Sequence, residues 1–69
     1  MTPGQYDILE RAITRGERIA IRRRGAEMVI VPLALRTRGG REFIETRQPT
    51  TGERLTLGID EIESVEHVK

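Results

Sequence analysis

Residues 35–47, LRTRGGREFIETR, place two extended arms around the pair Gly39–Gly40. Two adjacent glycines suit a two-residue hairpin turn, because both central positions of such turns favour positive φ. This stretch therefore predicts an antiparallel β-hairpin, and it sets the reading of everything around it. Toward the N-terminus lies EMVIVPLAL (residues 27–35), an apolar and largely β-branched run. Pro32 within it has no N–H to donate to a ladder, which predicts a bend, a bulge or an edge position. Further upstream RIAIRRR (18–24) alternates, with Ile19 and Ile21 on one face and Ala20 and Arg22 on the other. Gly25–Ala26 is expected to turn the chain between those two strands.

Toward the C-terminus, Pro49-Thr50-Thr51-Gly52 has the composition of a reverse turn. ERLTLGI follows with Leu55 and Leu57 at strand spacing, and Gly58 reads as a bulge or a bend. DEIESVEHV then predicts a short turn through Asp60-Glu61-Ile62 and a last strand around Ser64 to Val68. Ahead of all the strands stands one helix over about residues 3–15. Thr2-Pro3-Gly4-Gln5 has the form of a capping box with proline at the first helical position. Tyr6, Leu9 and Ile13 recur at helical spacing, Ile8 and Ala12 widen the stripe, and Gly16 ends it after Arg15. So short a helix is marginal alone in water and must dock its apolar face on the sheet.

The 69 residues therefore read as one domain: mainly β, one N-terminal α-helix, and about five strands over residues 17–68. Turns every 8–12 residues argue for a small barrel or rolled sheet rather than a parallel βαβ fold, with the helix plugging one end. Closing the sheet would hide edges that otherwise invite aggregation.

Composition excludes several function classes. Cysteine is absent, which rules out disulfides and thiolate metal sites and suits a reducing cytoplasm. No apolar run approaches the roughly 20 residues of a membrane helix, and MTPGQYDILE lacks a signal-peptide profile. Tyr6 and Phe43 are the only aromatic residues, which argues against an RNA-binding surface built on stacked aromatic rings. No catalytic constellation stands out. His67 has no cysteine to activate and reads as a surface residue, and Ser64 has no base at a useful spacing. Asp60, Glu61 and Glu63 do not match an EF-hand loop and read as a solvated turn. Gly39 and Gly40 lack the surroundings of a phosphate-binding loop. The chain reads as no enzyme, with no metal and no cofactor.

What remains is arginine. Nine arginines face four acids over residues 1–41, whereas three basic residues face seven acids over 42–69. Guanidinium groups suit phosphate or carboxylate recognition. Arg22 and Arg24 are expected on one face of the first strand with Arg23 on the other, and Arg36, Arg38 and Arg41 flank the glycine hairpin. If the two hairpin tips share a rim, Arg22, Arg23, Arg24, Arg36, Arg38 and Arg41 form a basic patch for nucleic acid or a nucleotide-like anion. If not, the Arg22–Arg24 run is a solvated tip.

The order YDILERAITRGERIAI, then VPLAL, then GGREFIETRQPTTGERLTLGIDEIESVE resembles the WYL domain, with Ala12-Ile13, Pro32-Leu33-Ala34-Leu35 and Ile62-Glu63-Ser64-Val65 at its short motifs. That resemblance implies an SH3/Sm-like barrel acting as a regulatory sensor in bacterial transcription. Glu42, Phe43 and Ile44 stand where the family has tryptophan, tyrosine and leucine, and Glu61 stands at its ligand-binding arginine. The chain is also similar to the Rho-binding antiterminator (Rof) family, whose opening is echoed by Tyr6, Asp7, Leu9, Glu10 and Ala12. This second likeness implies a protein-interaction adaptor bound to the transcription machinery; the sheet edges of a small barrel and the acidic C-terminal half also suit a homo-oligomeric Sm-like ring.

Overall fold

The computed structural model describes residues 1–68. Helix α1 spans Pro3–Arg15 and begins as its capping box requires. The Thr2 hydroxyl accepts from the Gln5 backbone N–H at 3.2 Å, and the Gln5 side-chain oxygen accepts from the Thr2 N–H at 3.1 Å. Gly16 closes the helix in the left-handed region, at φ 66 and ψ 31. The apolar stripe centres on Leu9 and Ala12, both fully buried, while Tyr6, Ile8 and Ile13 flank them half-buried.

Five antiparallel strands follow: β1 (Ile19–Arg23), β2 (Ala26–Arg38), β3 (Arg41–Arg47), β4 (Arg54–Gly58) and β5 (Ser64–His67). A 3₁₀ turn at Ile59–Glu61 links β4 to β5. Two runs that read as separate in the sequence are one strand, because EMVIVPLAL and the first arm of the glycine hairpin join into β2. A straight strand of 13 residues would be about 40 Å long. The molecule's longest dimension is only 31 Å, so β2 has to bend. It bends where Pro32 predicts, through a break in register between Pro32 and Ala34 that leaves Leu33 as the extra residue. Ala26 to Ile30 pair with β1, and the strand passes to β3 from Val31 onward, just ahead of the break.

That one bend makes the sheet wrap. Its order is β4-β3-β2-β1-β5, and the two halves face each other across a single core. Ile19, Ile21, Ile30 and Val65 come from one half and Ile44 and Leu57 from the other, with Leu9, Ala12 and Ile62 completing the cluster. Each fully buried isoleucine or leucine contributes roughly 1.5–3 kcal/mol. α1 lies against β2 and β5. The buried Thr46 hydroxyl donates to the Leu55 carbonyl at 2.7 Å, which satisfies the one polar side chain buried among the described residues. The expected closure is absent from the ladder: among the described residues β4 and β5 each pair with one neighbour and not with each other, so the sheet is open. Among the described residues no helix is long and apolar enough to cross a membrane.

One local expectation changes and another is narrowed. The β1–β2 turn is Arg24–Gly25, not Gly25–Ala26, because Arg23 and Ala26 are already a cross-strand pair. Gly58, where a bulge or a bend is expected, has the bend, at the corner between β4 and the 3₁₀ turn. Its backbone is ordinary at φ −71, but a Cβ there would lie 2.7 Å from Asp60 Oδ1, so glycine lets the 3₁₀ turn fold back on the strand end.

Candidate functional site

The two arginine-flanked hairpins sit at opposite ends of β2. Its bend nonetheless brings one side chain from each to the 3₁₀ turn. Arg23 Nε lies 3.3 Å from Glu61 Oε2, and Arg41 Nη2 donates to Asp60 Oδ2 at 3.0 Å. Neighbouring carboxylates thus hold arginines from both ends. The acids that the sequence presents as a solvated turn are partners for the basic residues.

Around the first hairpin, acids occupy nearly every cation. Arg22 pairs with Glu27 at 3.9 Å and closes its own turn by donating Nη1–H to the Gly25 carbonyl at 3.1 Å. Glu63 accepts the Gly25 N–H at 2.9 Å, which ties the turn to the entry of β5. Arg23 points to the same face as Ile19 and Ile21 and is half-buried. Its Nε–H is off line for Glu61 and has no acceptor, so the pair holds by charge alone. Arg24 does not share a face with Arg22 as strand alternation would have it, because it occupies the turn at φ 52. It is exposed and makes no ion pair among the described residues.

The second hairpin opens onto a different surface. Arg36 stands directly across from Phe43, Arg38 from Arg41, and Ala34 from Glu45. Glu45 in turn faces Thr56, and Arg47 faces Arg54. Cross-strand partners share a face, and so do residues two apart along a strand. The opposite face carries Ile44, Thr46 and Leu57 into the core, so this one is the outside of the wrapped sheet. It therefore collects Phe43 with Arg36, Arg38 and Arg41 at the hairpin end, and Arg47 and Arg54 beyond the Glu45–Thr56 pair. Arg36 Nε lies 3.4 Å from Glu45 Oε1, and Arg41 is held by Asp60. Arg38, Arg47 and Arg54 make no ion pair among the described residues.

A groove of about 300 Å³ lies in this face, lined by Arg36, Thr37, Arg38, Phe43, Glu45 and Thr56. Phe43 supplies its apolar wall, and the Arg41 guanidinium carbon sits 5.8 Å from the ring centroid, within cation–π range. A second hollow of about 370 Å³ runs between Met1, Arg41, Glu42 and Asp60, but its charged groups are already engaged. Arg41 holds Asp60, and Glu42 accepts the Tyr6 hydroxyl at 2.7 Å. That hydrogen bond, then burial, then the carboxylate's charge raise the Tyr6 pKa above its ordinary 10.0.

Of the six arginines read from the sequence, the structure groups Arg36, Arg38 and Arg41 on the outer face and leaves Arg22, Arg23 and Arg24 at the other hairpin. It adds Arg47, Arg54, Phe43, Glu45 and Thr56. Their signal is the alternation of Phe43, Glu45 and Arg47 with buried Ile44 and Thr46, and of Arg54 and Thr56 with Leu55 and Leu57. No protein-family profile matches this chain, and no curated protein or solved structure is significantly similar to it.

Proposed function

We propose that this protein is a small non-catalytic regulatory module of the bacterial cytoplasm that binds nucleic acid or a nucleotide-like anion, acting in transcription in the manner of the WYL domain. The observation that carries the reading is the outer face of β2, β3 and β4, where Arg38, Arg47 and Arg54 have no carboxylate partner among the described residues and share the face with Phe43, Arg38 lining the same groove as the ring. Unneutralised guanidinium groups on one surface attract phosphates, and a ring beside them offers a base a stacking partner. An SH3/Sm-like barrel is part of the same proposal, supported by the strand order and by the bend that gives each half of β2 a different partner. The non-catalytic part is supported by Ser64 and His67, which lie three residues apart on β5 and so point to opposite faces.

Fluorescence anisotropy with a labelled single-stranded oligonucleotide tests the reading. Three unpaired arginines predict a slope of log K against log salt of about −2, at roughly −0.7 per neutralised phosphate. Absence of binding at low salt, or a flat salt response, overturns it.

A second reading, an antiterminator-like adaptor or a homo-oligomeric ring, is favoured by one feature: the open edges of β4 and β5. Unpaired strand edges are templates for pairing with another chain. Light scattering decides the ring, since a 7.9 kDa particle at every concentration removes it.

A further inference from the structure

The geometry points to the Phe43 groove as a site selective for guanine carrying a phosphate, as a free nucleotide or as one unit of a single strand. The inference rests on the anion-binding reading above and adds the identity of the base. Its ground is the ion pair between Arg36 and Glu45 in the groove wall, with Arg36 Nε 3.4 Å from Glu45 Oε1. Through that contact an acceptor-only carboxylate and a donor-only guanidinium stand side by side, each keeping groups to spare. Both side chains are partly open to solvent, at 65% and 41%.

Guanine is the base whose edge matches such a pair. It carries two adjacent donors, N1–H and the N2 amino group, followed by two acceptors, O6 and N7. The donors fit a carboxylate, and the acceptors fit the two-pronged guanidinium. Adenine offers one donor and one acceptor to the same pair, so each side chain makes one bond instead of two. Cytosine offers a donor to Glu45 but lacks the purine N7 for Arg36.

The rest of the groove suits the rest of the nucleotide. Phe43 lies directly across the strand from Arg36, so a base held by the Arg36–Glu45 pair lies beside its ring. Arg38 is two residues along the same face, about 6.6 Å further, and carries no ion pair among the described residues. That leaves it for the phosphate. Glu45 would repel a phosphate placed near it, which fixes the orientation with the base at Glu45 and the phosphate toward Arg38.

Calorimetric titration at low ionic strength with 5′-GMP, 5′-AMP, 5′-CMP and inorganic phosphate tests the inference. GMP should bind at least about fivefold more tightly than AMP or CMP, the discrimination of one good bidentate contact. Glu45→Gln exchanges an acceptor for a mixed group on an exposed side chain and should abolish the preference while nucleotides still bind. Phe43→Leu should weaken every nucleotide and leave inorganic phosphate unchanged. A thymidine oligonucleotide with one guanine separates the two sources: tighter binding than GMP assigns a strand, and equal binding assigns the free nucleotide. Equal affinity for all three nucleotides overturns the guanine assignment and leaves the anion-binding reading standing. If nothing binds, both fall.

Discussion

The two hairpins at the ends of β2 are built alike, each with two ion-paired arginines and one, Arg24 or Arg38, without an ion pair among the described residues, and they differ in the surface their strands lead onto. Each turns through two residues at positive φ, Arg24–Gly25 at 52 and 75 and Gly39–Gly40 at 58 and 78, and each is flanked by arginines. At the first, Glu27, Glu61 and Glu63 arrive from β2, the 3₁₀ turn and the approach to β5, and their bonds are spent on holding the turn in place. At the second, the strands lead onto an outer face whose arginines outnumber the acids that reach them. A run of arginine in sequence thus says little about local field. The neighbours supplied by non-adjacent strands decide it.

The largest expected effect breaks or upholds that contrast directly. Arg36→Ala with Arg38→Ala removes two charges from the outer face, and Arg22→Ala with Arg24→Ala removes two from the first hairpin. Net charge falls equally, so any difference between them reports location. The outer-face pair should lose about tenfold or more in oligonucleotide affinity at low salt, roughly 1.4 kcal/mol, and the hairpin pair less than about twofold. Equal losses in anisotropy titrations would show that the molecule binds through its overall charge and that the hairpins do not differ.

A smaller effect tests the shared turn geometry. Arg24 is the one non-glycine residue at positive φ among the described residues, a conformation that is strained for a residue with a Cβ. Arg24→Asn, a residue that tolerates this region, should stabilise the protein by about 0.5–1 kcal/mol in urea denaturation. Gly40→Ala imposes the same strain on the other hairpin and should cost about 1 kcal/mol. An Arg24→Asn variant that gains stability but loses anion affinity would show that the strained arginine serves binding, and the first hairpin would then rejoin the second as a contact site.

How far the fold was legible follows from where its information lies. The helix and its caps, the glycine hairpin and the bend at Pro32 are local: each rests on neighbouring residues, and each is found where the residues place it. The change of partner within β2 was hidden, because Pro32 signals a bend, bulge or edge, whereas the move from β1 to β3 falls just ahead of it between Ile30 and Val31. The turn at Arg24 was misplaced by one residue because a non-glycine at positive φ is disfavoured on propensity alone. For the site, Arg36, Arg38 and Arg41 were visible as a cluster beside a hairpin. Arg47 and Arg54 lay six and thirteen residues beyond Arg41, and only the register of β3 against β4 brings them onto the same face. The ion pairs at Asp60 and Glu61 were the least legible, because they join residues 19 and 38 positions apart.

The smallest effect concerns how each hairpin is anchored. The first is tied to the 3₁₀ turn and β5 by carboxylates that accept or face donors. The start of β3, beside the second, is tied to α1 by the Tyr6 hydroxyl donating to Glu42. Only the second tie contains an acid that ionises in alkali. The hydrogen bond favours the neutral phenol, so the folded pKa lies above the ordinary 10.0. The contribution is therefore complete below pH 10 and lost as pH rises through the higher folded value. Tyr6→Phe removes the hydroxyl and keeps the ring. Wild type should be more stable than this variant at neutral pH, and the two should converge in alkali as tyrosinate absorbance appears. Curves that coincide at every pH would mean that packing of the ring, not the bond to Glu42, holds α1 against the start of β3.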